Sequence, residues 1–484
     1  MALTHEIPEP VHWHWHETET NLGSRFDAAG EWQKQLELVK QNRRRSVYRL
    51  AFPDRSFYVK HDHPVSLRNK LKSPLRCKCE EEYLSGHALA DAGISTVRYV
   101  GWAQAGLDSL VVSEEVPNAC TFAEAWRHVR TTEHAEPFLD AVGRFFATLV
   151  NSGIRHPDLH SGNILVTDAE GQPAFHLLDV YGATIRSLSS ADDALPILAV
   201  LVPICRELDG ERLQQLIRQI MDGQAGTVTW LQLQRWIAQR HRKRWPGIRK
   251  RLLTNSSICS RQSTASGTWT VMTDELAVDH AEDALAQHLK CFETGGDGIV
   301  KDDAKRCLSK VRVGDRTLIV KEYRRPGPWG RWRADVASWL DTYRIGRLYG
   351  IPVGACIGAL RHQDRRGFLV FEYVSDTTVE QHWITDGCTA RSAELVDQVA
   401  RLVAWLHAAG IYHRDLNPAN MMITDDPGLG LKLIDCDRVA FYRHMVPHGR
   451  REQNLAQVLE AIDNRLSTGE REQFLTAYRA EMDA

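Results

Sequence analysis

Apolar and polar residues alternate over short runs near the start of each half of the chain. SVYRLAF (46–52) and SFYVK (56–60) carry the pattern in the first half, and CLSKVRV (307–313) and TLIVKEY (317–323) in the second. A period of two predicts half-buried strands. Each pair is followed by a stretch compatible with a helix, EEYLSGHALADAG (81–93) or VASWLDTYRIGRLYG (336–350). Strands resume at TVRYVGW and SLVVSEEV, matched by ACIGAL and GFLVFEYV. Beyond them the apolar residues recur at three- and four-residue spacing, as in FLDAVGRFFATLVNSG (138–153) and AELVDQVARLVAWLHAAG (393–410), which predicts amphipathic helices. A small antiparallel sheet lobe followed by a helical lobe is an α+β layout.

The two halves are similar to one another. IRHPDLHSGNILV (154–166) and IYHRDLNPANMMI (411–423) are offset by 257 residues, as are Ala92 and Tyr349, and Trp126 and Trp383. Leu110 and Phe368 are offset by 258, Asp179 and Asp435 by 256, and Lys60 and Lys321 by 261. Six features in one order with so little drift predict a tandem duplication, too long for a solenoid unit. The polar run TNSSICSRQSTASGTW suggests the boundary. The expected division is a first domain over 1–250, a linker over 251–265 and a second domain over 266–484.

The chemistry lies in a loop of the form HxDLxxxN. Asp158 and Asn163 are five residues apart, as are Asp415 and Asn420. This is the catalytic-loop spacing of kinases, where the Asp orients the attacking hydroxyl and the Asn holds a metal. A strand-like segment then ends in Asp179 or Asp435, where a carboxylate can bridge Mg²⁺ to nucleotide phosphates. Upstream, a strand ends in Lys60 or Lys321, whose ammonium can neutralise phosphate charge. Taken singly, a strand-end Lys is a surface charge and a loop Asp an Asx-turn or helix cap. Four such groups in order, twice, outweigh that reading. They predict two protein-kinase-like domains that use ATP and Mg²⁺, with Asp158 and Asp415 as catalytic residues.

Both halves resemble the lipopolysaccharide kinase (Kdo kinase-like) family, over about 45–205 and 295–484. HPDLHSGNILV is similar to that family's HxDLHxGNIL loop, with His160 where protein kinases carry Lys. In the second half, RADVASWLDTYRIGRLYGIPV resembles its SW…L…GIPTP segment, LIDCDRVAF its LIDxDR, and the closing helical tail its FLxAY end. The resemblance implies phosphorylation of a sugar hydroxyl of lipopolysaccharide core or a related glycolipid. The alternatives are a protein serine/threonine kinase, or a tandem kinase/pseudokinase scaffold in which one copy regulates the other.

Several positions depart from the kinase pattern. NRRRSVYRLAFPDRSFYVK has no glycine where a glycine-rich loop would cover the phosphates. Glu82 is the expected ion-pair partner of Lys60. The matching residue in the second half is Trp339, so Lys321 is expected to lack a helix carboxylate unless Asp335 or Asp341 substitutes. Val180 and Cys436 follow the metal-site Asp residues, so no DFG switch is reproduced. The strand-end residues Glu114 and Glu372 have no assigned role.

Composition adds bounds. Lys and Arg total 60 against 62 Asp and Glu, a net charge of −2, so a nucleic-acid partner is not expected. The start MALTHEIPEP lacks the form of a secretory signal, and ALPILAVLVPIC is too short and proline-broken to span a bilayer. Ten cysteines without a paired framework fit reduced thiols in a cytoplasmic protein. His12, His14 and His16 share one face of a strand, which is expected to be an ordinary edge rather than a metal site. Arg235–Arg251 and RRPGPWGRWR (324–333) combine Arg with Trp. A solvated basic face is the simpler reading, with peripheral contact to an anionic membrane surface as the functional one.

Overall fold

The computed structural model describes residues 7–8, 11–26, 31–41, 44–63, 77–205, 208, 210–224, 226–324, 334–425 and 429–483. The chain divides into two compact units. The first comprises Met1–Leu201 and Leu216–Val228, and the second Val202–Gln215 and Thr229–Ala484.

The first unit opens with six strands: β1 (His12–Trp15), β2 (Glu37–Gln41), β3 (Arg45–Ala51), β4 (Ser56–Asp62), β5 (Tyr99–Ala105) and β6 (Asp108–Glu114). They form one antiparallel sheet in the order β1-β5-β6-β4-β3-β2. In β4 the pattern SFYVKHD buries Phe57, Val59 and His61 on one face and turns Tyr58 and Lys60 to the other. Phe57 and Val59 join Leu50, Val100, Leu110 and Val112 in a core closed by Phe26 and Trp32. Helix α1 (Lys78–Asp91) lies beside this sheet. It approaches closely because position 86 is glycine, where a Cβ would stand 2.2 Å from the ring of Tyr99. The helical part follows with α2 (Phe122–Val129), held by a capping box between Thr121 and Glu124, and α3 (Ala135–Ser152). The hairpin β7 (Ile164–Thr167) and β8 (Ala174–Leu177) carries the loop residues of the site.

The second unit begins with helix α4 (Trp230–Leu252), then β9 (Cys259–Ser263), β10 (Gly267–Met272) and α5 (Val278–Thr294). Five further strands are β11 (Ile299–Asp302), β12 (Arg306–Val313), β13 (Arg316–Tyr323), β14 (Cys356–His362) and β15 (Gly367–Glu372). The sheet order is β9-β10-β14-β15-β13-β12-β11. From β11 to β14 this reproduces the order of β2 to β5 in the first unit, with different strands added at the outer edge. Helix α6 (Ala334–Tyr343) runs into a π-helical turn, Arg344–Leu348. The rest of this unit is mainly helical: α7 (Val379–Asp386), α8 (Ala390–Ala408), α9 (His448–Arg465) and α10 (Thr468–Asp483). The short hairpin β16 (Met421–Ile423) and β17 (Leu431–Leu433) sits among them.

The segment expected to be a linker, 251–265, is built differently. Cys259–Ser263 is strand β9, paired with β10. The alternation in GTWTVM buries Trp269 and Val271, and with Cys259 they enter the core of the second unit. Leu252 belongs to the same core, against which Trp245 and Ile248 pack. The basic helix α4 is therefore part of the second compact unit, not the end of the first. The polar composition of the segment hid an edge hairpin whose buried residues are few.

The row His12, His14 and His16 falls on edge strand β1 and its exit. His14 stacks on Trp102 at 4.1 Å and His16 on His87 at 4.7 Å, while Trp13 and Trp15 face Phe26. Among the described residues no group of three or more His, Cys, Asp or Glu could hold a metal ion. None of the described helices is long and apolar enough to cross a membrane. Of the Arg/Trp segment 324–333, residues 325–333 lie outside the described residues.

Candidate active site

In the first unit β4 delivers Lys60 and α1 delivers Glu82. Lys60 Nζ donates to Glu82 Oε1 at 2.6 Å, and Tyr99 Oη donates to the same oxygen at 3.2 Å. Glu82 is fully buried. Lys60 Nζ also donates to Asp179 Oδ1 at 2.9 Å. Burial alone would lower the Lys60 pKa, but Glu82 and then Tyr99 and Asp179 reverse this and hold it above its ordinary value. For Asp179, burial acts to raise the carboxyl, and Lys60 followed by Arg45 pulls it below the usual range. Both neighbouring charges thus stay ionised.

The loop 156–163 brings the remaining groups to the same place through its backbone. Asn163 Nδ2 donates to the carbonyl of Asp158 at 3.0 Å, which fixes the five-residue turn between them. The Leu178 N–H donates to the carbonyl of Asn163 at 2.9 Å, so the Asn is tied to the strand that ends in Asp179. His156 Nε2 donates to the carbonyl of Leu178 at 3.2 Å, and burial lowers its pKa, so the neutral ring serves as a brace. The Asp158 side chain remains 65% exposed, open to an acceptor, with His160 Nε2 at 3.9 Å. Asp179 sits at φ 55°. A left-handed non-glycine residue costs on the order of 1–3 kcal/mol and persists where its surroundings fix it.

The second unit repeats this scaffold. Asn420 Nδ2 donates to the carbonyl of Asp415 at 2.8 Å, and the Ile434 N–H to the carbonyl of Asn420 at 2.9 Å. His413 Nε2 donates to the carbonyl of Asp435 at 3.2 Å, and Asp435 has φ 60°. Lys321 Nζ donates to Asp435 Oδ1 at 2.5 Å. Asp415 differs from Asp158 in being half-buried, with Asn417 Nδ2 donating to its Oδ1 at 2.9 Å.

The carboxylates that Lys321 meets among the described residues come from outside the helix. Trp339 does stand where a helix carboxylate is absent. It is buried, and its indole N–H donates to the carbonyl of Leu252 at 3.3 Å. Neither Asp335 nor Asp341 takes over. Asp335 lies against Gly367, and burial pushes the Asp341 carboxyl up to about 7 with Arg344 opposing. Beside Asp435, a second carboxylate is Asp437, 3.6 Å from Lys321 Nζ. Asp435 and Asp437 share Lys321 and Arg306. Burial works against both charges. Lys321 overrides it at Asp435, held well below the ordinary range; at Asp437 burial prevails over Lys321 and the Asp435 charge adds to it, so that carboxyl is raised.

Two arginines escaped the sequence reading. Arg45 Nη1 donates to Asp179 Oδ1 at 2.9 Å, and Arg306 Nη1 to Asp435 Oδ2 at 3.1 Å. Each stands 15 residues before its Lys, a recurrence that was present in the sequence. Glu114 and Glu372, left without a role, pair with Arg98 at 3.0 Å and with Arg316 at 3.1 Å.

Residues 309–478 match the Lipopolysaccharide kinase (Kdo/WaaP) family. The match supports a kinase-type phosphotransferase. It spans Lys321, Asp415, Asn420, Asp435 and Asp437, and lies wholly in the second unit. A structure of WaaP in complex with acyl carrier protein is similar at 18% identity and a TM-score of 0.33, covering 43% of this chain and 88% of that one. An aminoglycoside-3'-phosphotransferase of type VIII is similar at 17% identity and a TM-score of 0.31, covering 42% of this chain and 93% of that one. No curated protein matches the chain in sequence.

Proposed function

We propose that the protein is an ATP- and Mg²⁺-dependent phosphotransferase of two kinase-like domains, acting on a sugar hydroxyl of lipopolysaccharide core or a related glycolipid. The observation that carries the reading is the family match over 309–478, which contains Lys321, Asp415, Asn420 and Asp435 at one site. The substrate class rests on the family. The extension to the first unit rests on Lys60, Asp158, Asn163 and Asp179 in the same arrangement.

The donor set suits Mg²⁺. With its Nδ2 committed to the carbonyl of Asp158 or Asp415, each Asn presents an amide oxygen, and the neighbouring Asp supplies a carboxylate. Mg²⁺ commonly takes one or two protein ligands and completes its shell from phosphates and water. Bound there, it would neutralise charge developing on the transferred phosphoryl group. Lys60 and Lys321 place a second positive charge on the phosphates. Asp158 and Asp415 orient the acceptor hydroxyl and take its proton. Phosphoryl transfer needs alignment and spread positive charge more than covalent help.

A tandem in which the first unit regulates the second is favoured by one observation, the confinement of the family match to the second unit. Incubating the purified chain with ATP, Mg²⁺ and glycolipid extract, with a generic protein acceptor in parallel, separates the readings. Phosphorylated glycolipid by mass spectrometry is the expected product. Phosphorylated protein alone would replace the substrate assignment, and no transfer to either would remove the catalytic one.

A further inference from the structure

We infer that Arg45 and Arg306 are nucleotide-phosphate ligands that stand in for the absent glycine-rich loop; this deepens the kinase reading and rests on it. In each unit the arginine is the first residue of the strand that runs beside the lysine strand. Arg45 pairs with Asp62 while Val47 pairs with Lys60, and Arg306 pairs with Tyr323 while Leu308 pairs with Lys321. Directly opposed residues share a face, and so do residues two apart on one strand. Arginine and lysine therefore project from the same face, one pleat apart, in both units.

Their positions are not those of surface charges. The side chain of Arg45 is 22% exposed and that of Arg306 30%. Each hydrogen-bonds the Asp that would hold the metal, on which the lysine also converges. Each arginine also faces further carboxylates, Asp62 at 3.6 Å and Glu82 at 3.8 Å for Arg45 and Asp437 at 3.3 Å for Arg306, which hold the guanidinium at the mouth of the site beside the lysine. When Asp179 turns to a divalent cation, the guanidinium that it holds is presented to the phosphates. Lys60 keeps its buried bond to Glu82. A planar guanidinium matches two phosphate oxygens at once.

The surroundings in the first unit carry the same sign. A cavity of about 300 Å³ is lined by five cations, among them Arg44, Arg45 and Lys60, and by two carboxylates, Asp62 and Asp179. The segments entering β3 and β12 read NRRR and DDAKR, with no glycine to bring backbone amides onto a phosphate. Side-chain cations supply what backbone amides supply in a glycine-rich loop.

The test measures binding of ATP, tripolyphosphate and adenosine to the full chain by calorimetry, with and without Mg²⁺. It compares wild type with the double variant Arg45→Gln/Arg306→Gln and with Arg45→Lys/Arg306→Lys. The double Gln variant is expected to bind ATP and tripolyphosphate on the order of tenfold more weakly, the size of a lost charge-assisted bond, with adenosine unchanged. The Lys variant should fall between. Equal ATP and tripolyphosphate affinity in wild type and the Gln variant overturns the inference and leaves the kinase reading standing. A parallel loss of adenosine affinity in both variants makes the arginines structural and overturns it too. If wild type binds no nucleotide, the kinase reading fails and takes the inference with it.

Discussion

Asp437 Oδ2 lies 3.6 Å from the Lys321 ammonium, behind Asp435 Oδ1 at 2.5 Å, whereas Glu82 Oε1 lies 2.6 Å from Lys60 Nζ. The two carboxylates come from different elements. Glu82 is on helix α1, brought close by Gly86. Asp437 is two residues beyond Asp435, on the turn that follows it. Lys321 instead meets Asp435 and Asp437, both from that turn.

Both carboxylates should therefore matter to the lysine beside them. Glu82→Gln, in an Asp415→Asn background, is expected to lower phosphotransfer on the order of 10–100-fold, typical of removing an outer partner of a catalytic group. Asp437→Asn in an Asp158→Asn background should do the same. Turnover and nucleotide affinity measured side by side provide the check, and an unaffected Asp437→Asn enzyme would mean that Asp435 alone orients Lys321.

Asp158 and Asp415, proposed as the catalytic carboxylates, should act independently. Asp158→Asn is expected to silence the first site and Asp415→Asn the second, each by roughly 10²–10⁴ in rate. Each single variant then retains the other site's share of ATP turnover. Loss of all turnover from either single change would instead make one unit the regulator of the other.

Helix α4 offers a second kind of test. Lys243, Arg244, Arg249, Lys250 and Arg251 are exposed on it, while Leu231, Leu233 and Ile237 are buried. Each basic residue near an anionic leaflet contributes about 1 kcal/mol, fading over a Debye length of ~8 Å at physiological salt. Co-sedimentation with anionic vesicles should be strong at low salt, weak at high salt, and reduced in Lys243→Gln/Arg244→Gln. Protein that stays in the supernatant at low salt would mark the face as merely solvated and point to a soluble acceptor.

What the sequence made legible was the chemistry that depends on spacing. Lys60, Asp158, Asn163 and Asp179 recur in the same order as Lys321, Asp415, Asn420 and Asp435, and the bond from each Asn side chain to the Asp carbonyl accounts for the shared spacing of five. Arg45 was not legible as a site residue, because in NRRRSVYRL it is one of several charges and only the register to Asp62 and Lys60 puts it on the inner face. Asp437 was hidden for a similar reason: its role follows from the left-handed turn at Asp435. Strand β9 falls in the segment expected to be linker, because only Cys259 of CSRQS reaches the core. Backbone conformation and strand register decided each of these, and neither is spelled out by residue type alone.

The second unit should lose stability in mild acid through His407. This residue is fully buried on α8, with Nδ1 accepting from Tyr478 Oη at 2.9 Å and Nε2 donating to Asn454 Oδ1 at 3.2 Å. Both ring nitrogens are thus used in the neutral form. Burial, opposed by the Asn454 bond and aided by Arg451, lowers its pKa to about 4. An unfolded His takes up its proton near ~6.5. Between those values the unfolded chain binds the extra proton, so stability falls as the pH falls. The contribution is complete above ~6.5 and has been lost by about 4, amounting to about 3 kcal/mol. His241, also lowered to about 4, and His413 shift the same way, while Asp341, raised to about 7, acts in the opposite direction over the same range, so the His407 term is read from the difference between variant and wild type. His407→Gln should be less stable than wild type at pH 8, and the gap should narrow steadily towards pH 4. Denaturant midpoints at several pH values measure this. A gap that stays constant with pH would show that His407 does not titrate in the unfolding transition.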